Sequence, residues 1–280
     1  SAPTIELSGA PFVYDNGKEI EPAVTVKDGN TTIPASEYTV SYSDNTNAGT
    51  ATVTVTDQAG GNYTVNGGKE FEIQKAASTV TKAPAANSLT YTGGAQALVT
   101  AGTASGGEMQ YRLGESGGYA AEIPTATDAG SYTVYYMVKG DSNHEDTEAV
   151  KLTVTIGKAT LTNVSVKQSG ALTYNGSAQT ASVTASADAK GGQSVTFTYS
   201  TAEDGTYGDM PSFTNAGTYT VWYKAAADNH ETASGSFEVT IAKAALENVS
   251  AAQSGALTYN GNAQTASVTA SADAKGGQSV

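Results

Sequence analysis

Cysteine is absent from the 280 residues, histidine occurs twice and tryptophan once. Without cysteine there is no disulfide framework, no thiol nucleophile and no Cys-ligated zinc, and two histidines are too few for a His-rich metal centre. Positive charge is also scarce: 14 Lys and Arg stand against 27 Asp and Glu, a formal charge of −13. A chain so acidic lacks the surface that neutralises phosphates, so nucleic acid is excluded as a partner and an anionic membrane would repel it. No run of 18 apolar residues occurs and no charged-then-apolar leader opens the chain, which argues against membrane insertion. Threonine, with 40 residues, glycine with 31 and tyrosine with 16 are all well represented. That mixture favours strands and tight turns over helices.

Self-similarity organises the rest. Residues 160–195 and 245–280 differ at 5 of 36 aligned positions, with a period of 85. An older copy lies upstream, where SLTYTGGAQA at 88–97 matches ALTYNGSAQT at 171–180 and TDAGSYTVYY at 127–136 matches TNAGTYTVWY at 214–223. Three unit ends share one pattern, in Ile73-Gln74-Lys75-Ala76, Ile156-Gly157-Lys158-Ala159 and Ile241-Ala242-Lys243-Ala244. The expected units are therefore 1–76, diverged but keeping Tyr14-Asp15-Asn16-Gly17 and Asn47-Ala48-Gly49-Thr50, then 77–159, 160–244 and an incomplete 245–280. The last holds only the opening strands of a unit, and half a domain cannot enclose a core, so the chain reads as a piece of a longer repeat array.

Within a unit, apolar residues alternate with threonine and serine at period 2, the pattern of half-buried antiparallel strands. Phe197 and Tyr199 alternate with Thr196, Thr198 and Ser200, and Tyr219, Val221 and Tyr223 with Thr218, Thr220 and Trp222. Asn175-Gly176, Asn260-Gly261 and Asp204-Gly205 read as tight hairpin connections. About seven strands in about 83 residues is an immunoglobulin-like count. The predicted fold class is all-β, with tandem immunoglobulin-like β-sandwich repeats in an elongated array. Tyr132 and Tyr219, each two residues after an Ala-Gly turn, fit the tyrosine corner of such sandwiches, in which the hydroxyl folds back on upstream backbone. Unit 1 has Ala51 at that position.

The strings LTYNGSAQ, NAGTYTVWY and VTIAKA resemble the bacterial Ig-like repeats of the MBG and YDG types found in secreted surface proteins, and residues 14–55 are similar to a companion repeat of Gram-positive surface proteins. The resemblance covers essentially the whole chain. It implies a sandwich fold and a place on the bacterial cell surface or cell wall. It transfers no catalytic residues, because its motifs are turns and strand cores.

His144 and His230 occupy one repeat position, where unit 1 has Tyr63, which suggests a structural ring packing on its hairpin rather than a catalytic base. Asp141, Asn143, Glu145 and Asp146 make an oxygen-rich stretch that unit 3 keeps only as Asp228, Asn229 and Glu231; it reads as a solvated acidic turn rather than a calcium loop. No pair of carboxylates is singled out for glycoside hydrolysis. The last strands lack the asparagine that a Lys–Asn cross-link needs. Catalytic, cofactor and metal residues are accordingly expected to be absent, and the chain is not expected to be an enzyme.

The remaining candidate is the outer face of strand F, where Trp222 and its counterpart Tyr135, flanked by Arg112 and Gln110, would offer exposed rings to a glycan or a host protein. Thr198 and Ser200 would flank Trp222, and Thr54 takes the ring's place in unit 1. The simpler reading is a cross-strand pair that shields backbone. Two functions follow as expectations: a non-catalytic extracellular stalk or spacer, or an adhesin or carbohydrate-binding module. The apolar residues Leu246, Val249, Leu257, Tyr259 and Val268 lack partner strands, which predicts self-association through 245–280.

Overall fold

The computed structural model describes residues 3–279, and within them every regular element is a strand apart from short 3-10 turns. By contact the chain divides into two compact units. The first holds the described residues up to Leu89 with Ala95–Ala126 and Gly130–Ile156; the second holds Thr90–Gly94, Thr127–Ala129 and the described residues from Gly157 onward. The division cuts across the sequence repeats: two turns of the second repeat, 90–94 and 127–129, belong with the third.

In the first unit, residues 4–74 form two facing sheets. One pairs Thr4–Ser8 with Ala23–Asp28 and Thr31–Thr32; the other runs Phe12–Val13, Gly67–Gln74, Gly49–Asp57, Tyr38–Ser43. Alternation decides which side chains meet between them: Ala51, Val53 and Val55 point in and are buried, as are Phe71 and Ile73 on the neighbouring strand. They close over Ile5, Val26 and Ile33 from the opposite sheet, with the Phe12 ring edge-on to Phe71 at 5.3 Å. The second repeat keeps the same antiparallel triple, with Gly107–Leu113 beside Gly130–Gly140 and that strand beside Val150–Gly157. Val134, Tyr136 and Val138 face the core.

In the second unit the order is Leu172–Thr173, Ala233–Ala242, Gly217–Ala226, Thr196–Ser200. Val221, Val239 and Ile241 are buried on its inner side. A separate pair, Thr162–Gln168 with Val183–Asp188, lies outside that sheet. The near-identical segment that follows repeats the pair as Glu247–Ser254 with Ser267–Asp273, in the same register.

Two turns differ from expectation: Asn260-Gly261 lies in the long connection between Glu247–Ser254 and Ser267–Asp273 rather than in a tight hairpin turn, and Asn175-Gly176 departs further. Asn175-Gly176 does not close a hairpin, because Leu172–Thr173 pairs with Ala233–Ala242 while Gln179–Thr180 pairs with Ser212–Phe213. Asn175 Oδ1 accepts the Ser177 N–H at 2.9 Å, and only Gly176, at φ +84°, takes the left-handed conformation. A type I′ hairpin needs two such residues; this turn uses one, to carry the chain from one pairing to another.

Candidate functional site

Tyr219 lies on the inner side of the Gly217–Ala226 strand, stacked on Phe213 with centroids 4.1 Å apart, and its hydroxyl donates to the Asn215 carbonyl at 2.8 Å. The bond ties the Asn-Ala-Gly turn to the strand it opens. Tyr219→Phe is expected to destabilise the third repeat by about 1 kcal/mol, the usual net value of one hydrogen bond, and chemical denaturation followed by Trp222 fluorescence measures it.

On the outer face of the second repeat's sheet, Tyr135 stands directly opposite Arg112, whereas Gln110 is opposite Met137, two residues along the ladder. The Arg112 guanidinium lies between two rings, 4.7 Å from the Tyr135 centroid and 4.9 Å from that of Tyr119. The Tyr135 hydroxyl donates to Glu115 at 2.6 Å, and this carboxylate, ahead of burial, holds the phenol above its ordinary pKa. The ring is half-buried rather than exposed, and both its guanidinium side and its hydroxyl are engaged. Trp222 is likewise half-buried, opposite Ser200, whose hydroxyl is buried and takes the Ala202 N–H. In place of a second guanidinium stack, Lys224 lies over Tyr207 at 4.1 Å. Thr198 is opposite Lys224 and does not reach the indole's ladder position. The outer faces thus carry small aromatic–cation clusters, which shield the sheet and satisfy each other's charge and π-face.

The two hairpins that carry the histidines take part in a different arrangement. In the first unit, Asn143 Oδ1 accepts the Ala48 N–H at 2.9 Å and Asn143 Nδ2 donates to Asn47 Oδ1 at 3.0 Å. In the second unit, Asn229 Oδ1 accepts the Ala129 N–H at 2.9 Å and its amide donates to Asp128 Oδ1 at 2.9 Å. Each asparagine therefore clamps the Asn/Asp-Ala-Gly turn of the preceding repeat, using its acceptor on a backbone amide and its donor on the side chain before it. An amide side chain offers both groups at once, an acceptor oxygen and a donor nitrogen. The backbone follows suit: Ala76 N–H donates to the Asn143 carbonyl at 2.9 Å and Ala159 N–H to that of Asn229 at 3.0 Å, opening short parallel pairings of Ala76 with His144 and Ala159 with His230.

The histidines complete the clamp. His144 sits edge-on to Tyr14 at 5.3 Å and His230 edge-on to Tyr91 at 5.4 Å, so each ring packs on the Tyr turn of the preceding repeat rather than on its own hairpin. His144 Nδ1 bonds Asp141 Oδ1 at 2.7 Å, and the imidazole, with the Asn143 N–H as the next cause, holds the Asp141 carboxyl below its ordinary pKa. His230 is buried, its Nδ1 donating to the Asp228 carbonyl at 2.7 Å, which leaves Nε2 to accept the Lys190 N–H at 2.8 Å. The Lys190–Gly192 loop follows onto the same tyrosine: Gly191 packs against Gly93, and Gln193 Nε2 donates to the Tyr91 hydroxyl at 3.1 Å. The oxygen-rich stretch is spent within this clamp. Asp141 serves His144 and the Asn143 N–H, Asn143 reaches the preceding turn, and Asp146 takes Lys139 and the Gly140 N–H. Among the described residues no three His, Asp or Glu side chains gather as metal ligands.

The clamping roles of Asn143, Asn229 and the Lys190–Gly192 loop were not anticipated from the sequence. Their signal was the recurrence of Asn-His in two units at the same place, alongside Asn47-Ala48-Gly49 and Asp128-Ala129-Gly130.

Residues 16–73 match the family model of the bacterial Ig-like domain (group 3). No curated protein sequence matches the chain. Among solved structures it is similar to the Clostridium thermocellum CbhA fibronectin(III)-like modules, at 16% identity over 59% of this chain and 94% of that one with a TM-score of 0.22. It is also similar to mouse cadherin-23 EC22-24, at 13% over 87% and 99% with 0.24, and to Drosophila N-cadherin EC1-4, at 9% over 89% and 69% with 0.24. Superpositions at that level carry no argument. The fold rests on the paired sheets and on the family match: the chain is a tandem of Ig-like β-sandwich repeats.

Proposed function

We propose that the chain is a non-catalytic structural segment of a bacterial cell-surface protein, an extracellular spacer whose repeats are fastened to one another. The observation that supports this reading is the recurrence of the asparagine clamp, with the same donor and acceptor roles at Asn143 and Asn229. Two hydrogen bonds, a parallel backbone bridge and a Tyr–His contact recur at both clamps. The match of residues 16–73 to a bacterial Ig-like domain supports the bacterial surface setting. Association with a Gram-positive cell wall and MBG/YDG kinship are part of the proposal.

The alternative is an adhesin or carbohydrate-binding module, and its one specific support is the ring cluster of Arg112, Tyr119 and Tyr135, with Trp222 at the matching position. The intact chain, probed on an array of glycans and matrix proteins beside Trp222→Ala and Tyr135→Ala, is expected to stay silent. Specific binding that either variant abolishes at unchanged stability would replace the spacer with the adhesin.

A further inference from the structure

The third repeat ends in the same elements as the first two, and a cavity of 310 Å³ opens among them, lined by Tyr174, Asn215, Ala216, Lys243, Ala244 and Gln278. Position by position this is a clamp site. Asn215 and Ala216 stand where Asn47 and Ala48, and Asp128 and Ala129, receive an asparagine. Tyr174 stands where Tyr14 and Tyr91 each receive a histidine edge. Lys243 stands where Lys75 donates to the Asp141 and His144 carbonyls at 3.1 and 3.4 Å.

Part of the joint is already made. Gly276 packs against Gly176 and the Tyr174 hydroxyl as Gly191 packs against Gly93 and the Tyr91 hydroxyl. The strand pair that leads there keeps Val249 at 69% and Val268 at 63% exposure, and Tyr259 at 90%. In the third repeat the corresponding Val164, Val183 and Tyr174 are half-buried.

We propose that this end of the third repeat is a docking surface for an Asn-His hairpin of the Asp228–His230 type, carried by a homologous set of strands that packs against 247–273 as Ala233–Ala242 packs against Thr162–Gln168. The proposal rests on the spacer reading and names what its joint recognises. The recognition is chemical: an amide that accepts from the Ala216 N–H and donates to the Asn215 side chain, an imidazole edge on Tyr174, and hairpin carbonyls for Lys243. The same surface explains the exposed row on 247–273 without invoking a second copy.

The test extends the full chain beyond Val280 with a copy of residues 196–244 and follows amide hydrogen exchange. The Ala216 amide is expected to slow by about tenfold or more relative to the unextended chain, as an amide does when it enters a stable hydrogen bond. Replacing the appended copy's asparagine by alanine is expected to restore the original rate while the appended strands stay protected. Three results would overturn the proposal: an unchanged Ala216 rate with the appended strands folded, appended strands that do not fold, or Ala216 protection in the unextended chain that rises with concentration, which would assign the surface to a second copy. Glycan binding in the array experiment would overturn the spacer reading without moving the Ala216 rate, so the two failures are distinct.

Discussion

Ile241→Ala is expected to destabilise the third repeat by about 3 kcal/mol, within the range of about 2–5 kcal/mol found for buried Ile or Leu truncations. Ile241 is 1% exposed and lies between Gly217 on one neighbouring strand and Leu172 on the other. Gly217 has no side chain that could swing into the void, and Leu172 is tied in parallel register at the sheet edge, so collapse around the lost methyl groups is limited. The neighbouring buried cluster of the same repeat is thin: Ala181, Val221 and Val239 are its buried members, with Phe237, Phe213 and Tyr199 packed at its margin. A sandwich of this size has a narrow margin of stability, so a loss of about 3 kcal/mol removes a large part of it. The chain's single tryptophan, Trp222, belongs to the same repeat. Its fluorescence in urea therefore reports this repeat alone, and a lower midpoint at unchanged slope is the expected result. Glu238→Ala, an exposed position on the same strand, is expected to change stability by no more than about 0.5 kcal/mol. Equal effects of the two would mean that the inner and outer faces have been misassigned.

The inner and outer faces were legible from the sequence because they depend on period 2 alone: Val221 is buried where alternation puts it. The joints were not, since Asn143 with Asn47 and Asn229 with Asp128 lie 96 and 101 residues apart and no local pattern links them. The histidine rings pack, but on Tyr14 and Tyr91 of another repeat and not on the hairpin the sequence suggests, which a single hairpin cannot show. Asn175-Gly176 was read as a hairpin because its composition fits one. The deciding fact is that its flanking strands pair elsewhere, a tertiary outcome that overrides the dipeptide's preference. The half-burial of Trp222 and Tyr135 also follows from tertiary context. Outward parity holds for both, yet Tyr119 and Glu115, from the loop after the Gly107–Leu113 strand, close over Tyr135 and its arginine.

Gly93→Ala is expected to cost more than its conformation alone would suggest, and three glycines separate the causes. Gly93 has φ +89°, and a Cβ there would lie 2.2 Å from the Gly191 Cα and 2.7 Å from its nitrogen, both backbone atoms. Gly170 has φ +86° but nothing within 4 Å, and Gly94 has neither a left-handed φ nor a neighbour. Gly94→Ala should therefore be close to neutral, and Gly170→Ala should cost about 1–2 kcal/mol from the left-handed backbone alone. Gly93→Ala should add about 1–3 kcal/mol of overpacking to that strain, because a backbone loop cannot rotate out of the way as a side chain can. The excess of Gly93→Ala over Gly170→Ala in thermal unfolding measures how firmly the Lys190–Gly192 loop is held on the Tyr91 turn. That loop is fixed at both ends, by the Lys190 N–H on His230 Nε2 and by Gln193 on the Tyr91 hydroxyl. If the two variants cost the same, the loop lifts away without penalty, and the clamp must rest on the Asn229 hydrogen bonds, the Ala159 bridge and the Tyr91–His230 contact. If the excess appears, the Gly-Gly contact is a second fastening, and Gly176, whose Cβ would lie 2.3 Å from the Gly276 Cα, should show the same excess at the next joint.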